Sequence, residues 1–181
     1  LKIHNQIKLF GLNEDRLNFK SHFFSSIVFK NDSTLFYNPN GTLYLFKIQL
    51  GDNPKVYKLT LDNHAEINFN RYLFLYNNIL YSYGGKGGQF DNFPWLIYFD
   101  FDSNKWIKSD IKNHPLDTKK VLISWKIKNK LVMLLSHYPN TKESVYSNQE
   151  NFYSFGEINL KKFEYKEKFH FKSKFRDLLF I

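Results

Sequence analysis

The chain has 181 residues, 43% of them hydrophobic and 19% aromatic, and its 26 basic against 17 acidic side chains give a formal net charge of +9. That length supports one sizeable core, and the hydrophobic content excludes a chain too polar to fold. Cysteine is absent, which excludes disulfides, thiolate nucleophiles and Cys-ligated metals together.

The aromatics are mostly Phe and Tyr, which suit a pleated, half-buried surface, so an all-β fold is expected. The first clear signal is STLFYNPNGTLYLFKI at 33–48, two apolar runs joined by Asn38-Pro39-Asn40-Gly41. Asn-Gly favours a hairpin because both residues tolerate positive φ. RYLFLYNNILYSY at 71–83 repeats the pattern around Asn77-Asn78, and VLISWKIKNKLVMLL at 121–135 repeats it around Lys128-Asn129-Lys130. Within 131–135, Leu131, Met133 and Leu135 fall on one face and Val132 and Leu134 on the other, the mark of a strand covered on both sides. From Phe163 to Phe175 alternation returns. It places Phe163, Tyr165, Phe169, Phe171 and Phe175 on one face and Glu164, Lys166, Lys168, His170, Lys172 and Lys174 on the other, as in an outer, half-exposed strand.

A longer period overlies these hairpins. Similar strand–turn–strand runs begin near Leu43, Leu96 and Phe152, at offsets of 53 (96 minus 43) and 56 (152 minus 96). Each is preceded by a hairpin, giving four strands in about 50 residues, the spacing of a propeller blade. In the middle unit, Gly84-Gly85 end the second strand, and Phe99 and Trp106 are separated by six residues, Asp100 to Lys105. The acidic turn DFDSNKW includes Asp100 and Asn104.

This stretch resembles a kelch repeat, which carries a Gly-Gly pair, a variable loop, then an aromatic residue and a Trp with six residues between them. Phe99 stands where that family usually has Tyr. The other two units lack the double glycine, and Phe163 meets the Trp position only with a one-residue shift. The resemblance implies an all-β chain, a β-propeller fragment of about three four-stranded antiparallel blades. Residues 1–181 then form a single propeller segment, with blades over roughly 20–61, 69–110 and 120–168 and flanks that are partial strands. Propellers close with about four to eight blades, so the expected partners include the remaining blades of a larger chain. The chain also opens on Leu1 rather than Met, as expected of an excised or processed piece.

Sites of chemistry are scarce. GGKGGQ, Gly84 to Gln89, has no Ser or Thr after Lys86 to complete a phosphate loop, and the dinucleotide spacing puts Phe90 where a third glycine belongs. The six histidines form no H-x-H, H-x-x-E or H-x-x-x-H pair, so no metal or other cofactor is expected. Galactose oxidase contains a propeller of the kelch type, but its copper site uses a Tyr–Cys crosslink that this chain cannot make. Asp100 and Asp102 share strand parity, yet the resemblance assigns them to turn hydrogen bonds. No catalytic set emerges.

The expected function is therefore a non-enzymatic interaction module, with a protein or glycan as ligand. The loop after the Gly-Gly strand and the connection between blades would open on one face, where Lys86, Gln89, Trp95, His114 and Tyr138 are the candidate ligand-binding residues. The alternative is part of a propeller enzyme, carbohydrate-active or oxidase-like, with catalytic residues outside this segment. Nucleic acid is disfavoured as a partner: all basic residues except Arg16, Arg71 and Arg176 are lysines, whereas base readout favours arginine. The longest apolar run, LVMLL at 131–135, is far short of the roughly 20 residues of a membrane span. Cytoplasmic and extracytoplasmic settings are both compatible with this sequence.

Overall fold

The computed structural model describes residues 26–60, 71–85, 95–114, 119–137 and 151–173. Among them are twelve strands and no helix, arranged as three four-stranded antiparallel sheets. The first holds β1 (Ser26–Asn31), β2 (Thr34–Asn38), β3 (Phe46–Gln49) and β4 (Lys55–Lys58). The second holds β5 (Tyr72–Tyr76), β6 (Ile79–Tyr83), β7 (Leu96–Asp100) and β8 (Lys105–Lys108). The third holds β9 (Lys119–Ile127), β10 (Lys130–His137), β11 (Asn151–Asn159) and β12 (Glu164–Ser173). Each sheet is a meander in which spatial order follows chain order.

Local chemistry explains the tight turns. Asn77 and Asn78 both take positive φ, 49° and 63°, as a two-residue type I′ turn requires, and the twist of that turn matches the strands it joins. Lys128 begins the corresponding turn of the third sheet at φ 52°. The first sheet departs from expectation. Asn38-Pro39-Asn40-Gly41 does not close a tight hairpin, because β2 ends at Asn38 and β3 starts only at Phe46. The intervening loop is held instead by the buried Asn38 amide, which donates to the carbonyls of Thr42 (3.1 Å) and Tyr44 (2.7 Å). The tight hairpin lies earlier, at Asp32-Ser33, where the Asn31 side chain accepts from the Ser33 N–H at 3.1 Å.

The described residues divide into two compact units, and the division passes through β7. The first unit contains the first sheet, β5, β6 and Tyr98–Ile107. Its core joins Phe36 and Leu45 of the first sheet to Leu73, Leu80 and Phe99 of the second, with Val28, Leu59, Leu75 and Trp106 packed around them. The first strands of the two sheets, β1 and β5, also approach each other. One blade-like sheet thus packs face to face on the next.

The second unit contains the third sheet, together with Lys108 and the residues that follow it. Leu131, Met133 and Leu135 are buried on one face, while Val132 and Leu134 on the other are only half-buried. The chain after β8 returns to this sheet: Lys112 donates to the Phe163 carbonyl at 2.8 Å, and its own carbonyl accepts from Tyr165 at 2.9 Å.

Two features of β12 correct the alternation expected over Phe163 to Phe175. The register shifts at a β-bulge: Phe155 faces Phe169, whereas Gly156 faces Glu167. The extra residue, Lys168, moves Phe169 and Phe171 to the face opposite Tyr165, as a bulge must when side chains alternate with period two. Phe163 is not in the strand but in the preceding turn, at φ 49°, and Phe175 lies outside the described residues.

Candidate functional site

Gly84 and Gly85 follow β6 with φ of 75° and 121°, a left-handed path that side chains rarely adopt. Trp95 stands immediately before β7. Lys86, Gln89 and Tyr138 lie outside the described residues. Trp95 is 37% exposed, and the Lys108 ammonium sits 4.7 Å from the centre of its ring. Lys108 ends β8, so the antiparallel order of β7 and β8 brings the two together. This pairing of an aromatic face with a cation is a cation–π contact, and sequence spacing gave no sign of Lys108.

His114 occupies a different environment. Its ring is half-buried and lies 5.4 Å from that of Tyr165, centre to centre, tilted by 56°. Burial pulls its pKa down to about 4, so the imidazole is neutral at pH 7. Burial also pushes the Tyr165 hydroxyl up, with the Glu167 carboxylate adding to the effect.

The motif residues of the second sheet form one connected structure. Phe99 is buried and meets Trp106 edge to face, with ring centres 5.2 Å apart. The Trp106 Nε1–H donates to the Leu43 carbonyl at 2.9 Å, which ties the second sheet to the first. The Arg71 guanidinium lies 5.6 Å from the Trp106 ring centre. In the turn between β7 and β8, Asp100 accepts from the N–H groups of Asp102 and Ser103, both at 3.3 Å, and from the Ser103 hydroxyl. The Ser103 hydroxyl bond, followed by the Asp102 N–H, holds the Asp100 carboxyl below its ordinary pKa, the opposite of what a general acid needs. Asn104 closes this turn at φ 55°.

The equivalent of this turn in the third sheet shows which residue takes the Trp106 place. Phe163 at φ 49° precedes β12 as Asn104 precedes β8. Tyr165, the second residue of its strand like Trp106, pairs with Ile158. The tryptophan slot therefore belongs to Tyr165, not Phe163. Its ring lies over Gly156, where a Cβ would stand 2.7 Å from the Tyr165 hydroxyl oxygen.

The third sheet also carries a charged group, Glu157, held by Lys168 at 2.9 Å and Lys130 at 3.0 Å. Burial pushes the Glu157 carboxyl up, but hydrogen bonds and charge from the two lysines outweigh it and leave the pKa lowered. Among the described residues, no three His, Asp or Glu side chains gather to hold a metal ion, and no helix is long and apolar enough to cross a membrane.

No family model matches the chain, and no curated protein is similar to it. Solved structures do match, 61 chains in all. Among them is the structure of YjhT, with a TM-score of 0.55 and 11% sequence identity. The three sheets are propeller-type blades. At this identity the likeness shows the fold alone. It covers 80% of this chain and 50% of YjhT, so the chain spans about half the length of that structure.

Proposed function

We infer that the chain is a non-enzymatic binding segment of a kelch-like β-propeller, taking a protein or carbohydrate ligand on the loops at the end of the blades where Trp95 stands. The observation that carries this reading is the exposed Trp95 ring with the Lys108 ammonium over it, at the start of β7 beside the end of β8. Exposed aromatic rings offer a large, rigid apolar surface to a sugar face or a peptide side chain, and a neighbouring cation adds polar selectivity. Lys86 and Gln89 fall in the connection from β6 to β7 that ends at Trp95, and Tyr138 falls in the connection from β10 to β11. His114 remains a candidate ligand-binding residue in this reading, with its ring packed on Tyr165. The kelch assignment rests on Gly84, Gly85, Phe99, Asp100, Asn104 and Trp106, which form one blade's turn and packing set.

The test is capture of oligosaccharides and peptides on printed arrays, followed by calorimetric titration of each hit. Trp95→Ala should weaken the hit by tenfold or more, about 1.4 kcal/mol. Unchanged affinity in that variant would remove Trp95 from the site and the reading with it. Because the chain spans only half of YjhT, a propeller enzyme with its catalytic residues elsewhere is the second reading. It predicts sugar turnover by a longer protein that contains this segment and none by the segment itself.

A further inference from the structure

The contact between Trp95 and Lys108 has counterparts in the other two sheets. In the second sheet the Ser109 N–H donates to the Leu96 carbonyl at 2.8 Å, and in the first the Leu59 N–H donates to the Leu45 carbonyl at 2.8 Å. Leu45 and Leu96 are therefore equivalent, and both are fully buried. One residue before each leucine stands an aromatic, Tyr44 or Trp95. One residue before each donor stands the lysine that ends the fourth strand, Lys58 or Lys108. The Lys58 ammonium sits 4.3 Å from the centre of the Tyr44 ring, much as that of Lys108 sits 4.7 Å from the centre of Trp95.

The third sheet repeats the arrangement across its longer strands. Phe152, the second residue of β11, pairs with Lys172, next to last in β12, and the ammonium lies 4.8 Å from the ring centre. All three contacts form at the end of a sheet where its third strand begins and its fourth ends. Each is complete within one compact unit, Tyr44–Lys58 in the first and the other two in the second. In the first sheet, the wide loop before β3 serves this contact. The Tyr44 carbonyl accepts from the buried Asn38 amide at 2.7 Å, and its N–H donates to the Thr42 hydroxyl at 3.2 Å. These bonds fix the backbone that carries the Tyr44 ring. Trp95 and Phe152 are 37% and 49% exposed, Tyr44 is half-buried, and all three lysines are exposed.

A single lysine over an aromatic ring is an ordinary surface contact. Its recurrence at one place in three sheets, with a different ring each time, points to a repeated task. We propose that Tyr44–Lys58 and Phe152–Lys172 are ligand contacts of the same kind as Trp95–Lys108, and that the ligand is a polysaccharide of uronic acids. The proposal rests on the reading of Trp95 as a ligand contact. Each place offers one ring and one cation, and a uronic acid residue offers one apolar sugar face and one carboxylate. The ring packs on the sugar C–H groups, and the ammonium donates to the carboxylate. A sugar polymer presents that pair at every residue, whereas a protein surface presents different groups at each point.

Heteronuclear NMR titration of the isotope-labelled chain with trigalacturonic acid tests this. The Trp95 indole N–H and the backbone amides of Tyr44 and Phe152 should all shift. The fully methyl-esterified trisaccharide, with the same rings and no charge, should bind about fivefold more weakly at each place. Tyr44→Ala should abolish the response at the Lys58 amide and leave that of Trp95 unchanged. Lys58→Gln keeps the ring, so it serves if Tyr44→Ala disturbs folding, and should raise the dissociation constant read at Tyr44 about fivefold. Lys172→Gln should do the same at Phe152. A response confined to Trp95 would overturn the proposal while leaving Trp95 as a ligand contact. Equal binding of the esterified sugar, or shifts indifferent to both Gln substitutions, would overturn the assignment to uronic acids. No shift at any of the three rings would also overturn it, and array hits sensitive to Trp95→Ala would then preserve the earlier reading alone.

Discussion

A single methyl group probes the third sheet at its tightest point. Gly156 faces the Tyr165 ring, and a Cβ there would lie 2.7 Å from the hydroxyl oxygen and 2.9 Å from Cζ. Tyr165 is buried and cannot swing away cheaply. Gly156→Ala should cost about 1–3 kcal/mol in urea unfolding, the range expected for overpacking. His114, whose ring also meets Tyr165, supplies a pH test. Its folded pKa of about 4 lies below the ordinary 6.5, so between these values the unfolded chain binds a proton that the folded chain refuses. Stability should be unaffected by His114 above about pH 6.5 and should fall on acidification through that window, by on the order of 2–3 kcal/mol at pH 4. His114→Phe should flatten this part of the pH–stability curve while keeping a ring against Tyr165. An unchanged slope would show that the imidazole is not protected from protons in the folded protein.

At the scale of the strand and the turn, what was legible in the sequence was what local chemistry decides. Asn77-Asn78 and Lys128-Asn129 mark hairpins because tight turns need positive φ, and the structure has it at Asn77, Asn78 and Lys128. Replacing Asn77 and Asn78 together by Ala should therefore cost about 1–2 kcal/mol per residue, whereas Asn78→Gly should be neutral or stabilising. Equal stability of all three proteins would argue against a type I′ turn. The features that escaped were set by partners distant in sequence. The bulge at Lys168 depends on how β12 meets β11, so simple alternation put Tyr165 and Phe169 on one face when they occupy opposite faces. Asn38-Pro39-Asn40-Gly41 has the composition of a hairpin turn, but the carbonyls of Thr42 and Tyr44 draw the Asn38 amide into a wider loop. Phe163 matched the tryptophan slot only by letter count, and the register assigns that slot to Tyr165. In the candidate site, the Trp95–Lys108 contact could not be read from spacing because it joins the beginning of one strand to the end of the next.

The whole-molecule claim is that four-stranded meanders repeat along the chain and that the first two pack face to face. The 53- and 56-residue offsets made the repetition visible in the sequence, and Trp106 shows how the first two sheets are joined. Its ring belongs to the shared core with Phe36, Leu45 and Phe99, and its N–H reaches the Leu43 carbonyl across 63 residues of sequence. Burial of these apolar side chains provides most of the stabilisation at such a contact, and the hydrogen bond fixes its register. The most direct test is nuclear Overhauser spectroscopy on the isotope-labelled chain, centred on the Trp106 indole. The account predicts a slowly exchanging indole N–H with cross-peaks to Leu45 and Phe36, and no cross-strand Hα–Hα peaks between β4 and β5. A freely exchanging indole, or β4 and β5 paired edge to edge in one continuous sheet, would contradict it.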